Sequence, residues 1–456
     1  MSYKKTLSTY YSTQYIGGTP VMFGDFIEYL LKNQKRIVLL GKRNNDFLGE
    51  KYSGREGVSF FEVPDNYADP LLSRSFIRKS RRLAGLVERE FGQISVITNP
   101  FHNTQKCISM FGKNTSLFVA FLHAEEWPLT LINKREKVTT LGSRPEKSRL
   151  WYYQRELLNS LSQSKAAWFM NEVTRKYHEY YYDISLSDSY VIPIPFYTEK
   201  YKREANMASR QNRDEISIIW LGRFDFFKNP TILRTYQHLL SITENRKTRI
   251  KYGLIGYAFD EKFERQIRNE LKSTERLKIQ LHGRVDPKDI NKIVKDYDVG
   301  IGMGISTYHL AMNCIPVIVA DAADIQSIAS IKGCWLHEAP LGFVGGGVYA
   351  DECGFAIPNR KSIGHLLEEI QDSPEKKRTY GMEAKKYVEN NLSISKTMPE
   401  LVDAWSSSRF SLEHVNIFDI PFRKKISLIA KGVLRRTIGT ENIAKIKTFC
   451  HLKTEA

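Results

Sequence analysis

Short apolar runs, each bounded by polar residues and separated by helix-length stretches, recur from the N-terminal region to about residue 400. This alternation confines the chain to an α/β architecture built on parallel sheets. In the first half the runs are RIVLL (36–40), QISVIT (93–98), SLFVAFLH (116–123), AAWFMN (166–171) and YVIPIPF (190–196). The second half holds ISIIWLG (216–222), IKYGLIG (250–256), LKIQLHG (277–283), YDVGIGMG (297–304), IPVIVAD (315–321) and GFAIP (354–358), and these predict a doubly wound domain. Between the two sets, 197–215 is polar and charged with no apolar period, which marks a linker. A chain of 456 residues also exceeds one ordinary core. The expected organisation is an N-terminal domain over 1–200, a linker over 201–215, a second domain over 216–400 and a C-terminal extension over 401–456.

The formal charge of +17 calls for an anionic partner: nucleic acid, acidic lipid or a phosphorylated substrate. No RNA- or DNA-binding motif accompanies the charge, so nucleic acid is not expected. Cys107, Cys314, Cys334, Cys353 and Cys450 are odd in number, widely spaced and free of any CxxC pair, which argues against a disulfide framework or structural zinc and for a reducing compartment. The first residues contain no apolar core of signal-peptide length, and no uncharged apolar run reaches membrane-spanning length. A cytoplasmic location follows as the expectation. From Pro421 onward the tail carries nine Lys or Arg against two Glu, with Ile426, Ile429, Val433 and Leu434 at helical spacing. It reads as an amphipathic helix on an anionic membrane, or as a solvated helix packed on the N-terminal domain.

The densest local signal is WLGRFDFFKNP, where a strand ends at Gly222 and is followed by Arg223 and then Lys228. Ligands of doubly wound sheets bind beyond the carboxyl ends of the strands, so this loop would present two cations to the crevice. Arg offers a rigid fork of donors and Lys a mobile point charge, a pairing suited to a pyrophosphate whose bond to a sugar is breaking. Taken alone, the stretch reads more simply as a solvated turn.

The pattern strand-Gly-Arg-x-Asp-x-x-Lys-Asn at the start of a second domain resembles the opening of the nucleotide-binding domain of retaining glycosyltransferases of family four. Those enzymes have the GT-B architecture, two Rossmann-like domains facing a central cleft. LIGYA (254–258), containing Gly256, and LHGRVDPKDI (281–290) follow in the family's order. The resemblance spans about residues 10–405 and is specific over 216–320. It implies that Arg223 and Lys228 hold the donor diphosphate beside Gly222, and that Gly283, Arg284 and Val285 lie against the nucleotide base. It also implies that no metal or other cofactor is needed, because side chains supply the countercharge.

The fourth landmark departs from the family. Members read Glu-Gly-Phe-Gly-Leu with a second Glu eight positions after the first, whereas here Ile301 and His309 stand at those two places around Gly302, Gly304, Ser306 and Thr307. Ile301 cannot accept a hydrogen bond from a sugar hydroxyl, while His309 can meet a ribose hydroxyl through a ring nitrogen. The glycines admit the ligand closely, and backbone N–H groups of the following helix are suited to phosphate.

In the N-terminal half, Gly17 and Gly18 resemble the family's glycine-pair loop at the interdomain cleft. No strand is evident before them. His123 ends an apolar strand where members often carry a His facing the reacting sugar, which makes it a polar group near the anomeric carbon. A packing histidine is the plainer reading. Glu125 and Glu126 read as solvated loop acids. The resemblance implies transfer of a sugar from a nucleotide-sugar donor to a glycan or lipid-linked acceptor of the cell envelope, with retention, and with the basic tail it implies a place on the inner membrane face. The competing readings are a non-catalytic GT-B subunit and a sugar-nucleotide epimerase.

Overall fold

A computed structural model describes residues 6–10, 18–43, 46–63, 74–99, 101–112, 115–128, 149–201, 215–225, 228–246, 248–258, 260–322, 331–371 and 373–411. Gly17, most of the expected linker and the basic tail from 421 lie outside the described residues.

The first sheet contains β1 (Thr6–Tyr10), β2 (Ile37–Gly41), β3 (Val58–Glu62), β4 (Ile94–Thr98), β5 (Thr115–Phe121), β6 (Ala167–Phe169) and β7 (Tyr190–Val191). Its order is β3-β2-β1-β4-β5-β6-β7, parallel throughout. The second sheet contains β8 (Glu215–Leu221), β9 (Arg249–Ile255), β10 (Leu277–Gly283), β11 (Val299–Gly302), β12 (Val317–Ala320), β13 (Lys332–Trp335) and β14 (Lys361–Ser362). Its order is β10-β9-β8-β11-β12-β13-β14, parallel as far as β12 and antiparallel beyond it.

Helices cover both faces of a parallel sheet, so its inner strands are apolar on both sides. Accordingly β2, β4 and β5 are buried along their whole length. The strand order reverses between β1 and β4 and again between β8 and β11, and each reversal opens a crevice at the carboxyl edge. Local chemistry fixes where helices begin. Asn171 caps the helix Glu172–Tyr182 by accepting from Thr174 N, and Asp286 caps Pro287–Val294, where proline takes the first turn.

Several elements differ from the sequence reading, and β3, β13 and β14 lie outside the apolar runs singled out there. A strand does precede the glycine pair: β1 lies at the centre of the first sheet, with Ser8 and Thr9 buried. GFAIP is not a strand. Gly354 ends the helix Gly347–Cys353 in the left-handed conformation at φ 71°, and the sheet is extended by β13 and β14 instead.

The chain returns to its first half at Leu392–Ile394. Phe196 N donates to Leu392 O and Ile394 N to Phe196 O, where the two segments cross. The helix Ile394–Ser407 then packs on the first sheet. Trp405 is fully buried, and its Nε1 donates to Ser95 O on β4 at 2.8 Å. No helix among the described residues is long and apolar enough to cross a membrane.

Candidate active site

The loop after β8 is built by close packing of strand ends. Gly222 N donates to Ile255 O, Gly256 N donates to Gly283 O, and a Cβ on Gly256 would run into the carbonyl oxygen of Gly222. The three glycines therefore stand side by side at the ends of β8, β9 and β10. Beyond Gly222, Asp225 Oδ1 accepts from Lys228 N at 2.9 Å, and this bond folds the loop back into the helix Asn229–Arg246. The fold returns the Lys228 ammonium to the strand end, where Nζ lies 3.4 Å from the point a Gly222 Cβ would occupy. Arg223 lies 3.7 Å from Asp225 Oδ2 and keeps 40% of its side chain exposed.

The opposite wall comes from the first sheet. His123 follows β5, and its Nδ1 accepts from Glu125 N at 3.2 Å, which leaves the ring proton on Nε2. Its ring meets Tyr349 of the second half edge to face, with centroids 5.8 Å apart. Burial pushes the imidazole down to about 4; Lys228 pushes it further down and Asp225 opposes. His123 is thus neutral near pH 7 and within electrostatic reach of the β8 loop across the cleft. Burial likewise lowers Lys228 to about 8, with Asp225 opposing and Arg223 assisting. An ammonium held this way gains the most when an anion replaces the water it has lost.

The remaining residues singled out in the sequence fall into three groups. Gly283 has a φ of 68° with nothing near a would-be Cβ, and the Arg284 guanidinium lies over the Tyr257 ring at 5.0 Å from its centroid. Val285 packs against the core. Gly302 ends β11 and Gly304 follows it, across the strand-order reversal from Gly222; Gly304 has a φ of 75° and also leaves its Cβ direction open. The hydroxyls of Ser306 and Thr307 are committed to Met303 O and Gly304 O. Gly18 begins the helix Gly18–Lys32, where a Cβ would sit 3.6 Å from Ile305 Cδ1, so this helix start meets the same loop from the other half.

His309 faces elsewhere. Its Nδ1 hydrogen-bonds the Tyr201 hydroxyl and its ring packs edge-on against Phe196 at 4.9 Å, a hinge contact between the halves. Burial, and then Lys200, lower it to about 4. Ile301 is fully buried in the core of the second domain.

Several site residues were not singled out in the sequence. The loop Val344-Gly345-Gly346-Gly347 lies over the β11 turn, where Val344 O accepts from Gly304 N at 2.7 Å. Asp321 holds that loop by accepting from Gly347 N at 2.8 Å while pairing with Arg360 at 2.5 Å. The triple glycine was its available signal. Asp225 belonged to the recognised motif but carried no assigned role. The sequence's one Asp-x-Asp spacing, Asp296 and Asp298, lies before β11 at the edge away from the cleft. There Asp298 accepts from Ser217 N at 2.8 Å and pairs with Lys377. No group of His, Cys, Asp or Glu suited to a metal ion occurs among the described residues.

Two doubly wound domains joined by a crossing helix, with strand ends facing across a cleft, define the GT-B fold. Solved structures share it: a glycosyltransferase from Rickettsia africae (TM-score 0.56, 13% identity, 88% of this chain and 98% of that one), and Anabaena HepE in complex with UDP and glucose (0.54, 12%, 89% and 100%). The N-terminal domain of Candida albicans trehalose-6-phosphate phosphatase is similar too (0.56, 10%, 89% and 97%). No protein-family model and no curated protein sequence matches the chain.

Proposed function

We propose that this protein is a glycosyltransferase that takes a sugar from a nucleoside diphosphate donor. One observation carries the reading: Lys228, on the loop after β8 and beside Arg223, lies close enough to His123 of the other domain to act on its charge across the cleft. As the bond between the anomeric carbon and the diphosphate breaks, Lys228 and Arg223 stabilise the charge on the departing oxygen. The acceptor oxygen bonds to that carbon, and its proton passes to the released diphosphate. Neutral His123 offers Nε2–H to the sugar. These side chains take the place of a metal ion. UDP bound to the structurally similar HepE supports a nucleotide donor, and Gly283, Arg284 and Val285 would line its base.

The resemblance to family four supports transfer with retention onto a glycan or lipid-linked acceptor of the cell envelope. The basic tail would hold the enzyme on the inner membrane face. A non-catalytic GT-B subunit is the second reading, favoured by buried Ile301 and by the engagement of His309 with Tyr201.

A thermal-shift screen against UDP- and GDP-sugars tests both. A donor should raise the melting temperature of the wild type, and the rise should vanish in Arg223→Ala and Lys228→Ala. No shift with any nucleotide sugar would favour the non-catalytic reading. Release of a free epimerised sugar nucleotide would instead identify an epimerase.

A further inference from the structure

The turn that carries His123 is closed by a carboxylate the transfer chemistry does not use. Glu126 Oε2 accepts from Leu122 N at 3.2 Å and from Asn99 Nδ2 at 2.6 Å, while Glu126 N donates back to His123 O at 3.3 Å. Asn99 lies just beyond β4 and is buried; the same Nδ2 donates to Ala120 O on β5 at 2.9 Å, so one amide ties the ends of both strands to the turn. Asn99 is held in turn, its carbonyl accepting from Asn103 Nδ2 at 2.8 Å. Trp127 anchors the far side, fully buried against Phe101 and Phe121 with centroids 4.9 and 5.0 Å away.

We propose that Glu126 and Asn99 are a positioning pair that fixes the His123 turn, and with it the tautomer and direction the imidazole presents to the reacting sugar. The proposal rests on the transferase reading for its kinetic consequence, though not for its structural one. The link is short. Glu125 N is the donor that makes His123 Nδ1 an acceptor, and Glu125 adjoins the clamped residue. Releasing Glu126 frees that donor, and the ring proton can then exchange between nitrogens. Two N–H donors converge on one oxygen of Glu126, so the geometry needs an acceptor at that point rather than a charge. Burial pushes this carboxyl up to about 7, against the pull of its two donors. A glutamine, whose amide oxygen can accept both bonds, should therefore preserve the turn.

The test uses the full chain with ¹⁵N-labelled histidine near pH 7, the His123 signals being assigned by their loss in His123→Gln. Wild type and Glu126→Gln should show a single Nε2–H tautomer, while Glu126→Ala and Asn99→Ala should show averaging between the two. With the donor found by the thermal screen, the alanine variants should lose roughly ten- to a hundredfold in kcat, with KM within about twofold, and Glu126→Gln should retain most activity. An unchanged His123 tautomer in folded Glu126→Ala would overturn the proposal. Should that variant fail to fold, Asn99→Ala, which keeps the bond from Leu122, decides by the same signal. The NMR measurement needs no substrate, so a wild type without turnover counts against the transferase reading and leaves the clamp to be judged by its tautomer.

Discussion

The ring of His123, at the end of the first sheet's fifth strand, meets the ring of Tyr349 from the second half edge to face, with centroids 5.8 Å apart. Tyr177 joins from the first half, 5.1 Å from the same Tyr349 ring. The cleft is thus walled by packed aromatics drawn from both domains. Exclusion of water by such a wall weakens the dielectric screening around Lys228, so its charge acts more strongly on an anion than it would in bulk solvent.

Affinity for UDP should therefore fall as pH rises through about 8, where Lys228 loses its proton. A bound diphosphate favours the charged form, so binding near pH 8 should draw protons from the buffer. Titration calorimetry in two buffers of different ionisation enthalpy, repeated from pH 6.5 to 9.5, measures both effects. Lys228→Arg carries a charge throughout this range and should lack the alkaline inflection. A wild-type affinity that stays flat to pH 9.5 would show that Lys228 does not hold the anion.

How far the sequence went follows from what each element must bury. Continuous apolar runs such as 94–98 and 115–121 were legible because a parallel sheet is covered on both faces. β1 was not, since its buried Ser8 and Thr9 disguise a central strand as a polar segment. GFAIP misled for the opposite reason: an apolar stretch after a helix packed as irregular chain. Gly222, Arg223 and His123 could be placed at or just after strand ends from the chain alone, and a doubly wound sheet puts such ends at the crevice, while the roles expected of them came from the family resemblance. Tyr349 and the turn of His309 toward Tyr201 were not, because each depends on how one domain meets the other.

Gly256 and Gly283 end neighbouring strands yet should tolerate alanine very differently. A Cβ on Gly256 collides with the carbonyl of Gly222, so the strand ends under the loop after β8 must separate. Overpacking of this kind costs about 1–3 kcal/mol, and backbone as the obstacle puts Gly256→Ala at the upper end. Gly283 meets nothing, and alanine there bears only the left-handed backbone at φ 68°, about 1–2 kcal/mol. Urea denaturation ranks the two. Equal destabilisation of the two variants would discount the packing argument.

Trp405 couples the last described helix, Ile394–Ser407, to the first sheet. Its Nε1 donates to Ser95 O at 2.8 Å and Ser95 Oγ donates to Trp405 O at 2.9 Å, a reciprocal pair linking residues far apart in sequence. Trp405→Phe removes one donor and leaves a buried carbonyl with one partner fewer, for a loss of about 1–3 kcal/mol. Trp405→Ala adds a cavity, and the loss should reach about 3–5 kcal/mol. Chemical denaturation monitored by circular dichroism separates the variants. Similar stability in both would place the weight of the contact on the hydrogen bonds instead of the buried ring.

His309 should report on acid stability. Burial, aided by Lys200, lowers its folded value to about 4 from an ordinary 6.5. Between those values the unfolded chain binds the extra proton, so stability rises with pH through the window and is lost as pH falls through it. One proton is worth at most about 1.4 kcal/mol per pH unit. His102, His123 and His178 are also lowered to about 4 by burial, so wild-type stability should fall steeply below pH 6. His309→Gln forfeits the contact with Tyr201 and should be less stable at pH 7.5. Its further loss on acidification should nevertheless be shallower by about one proton. Denaturation at pH 7.5, 6.5, 5.5 and 4.5 supplies the two curves; if they run parallel, His309 is not the neutral hinge residue described.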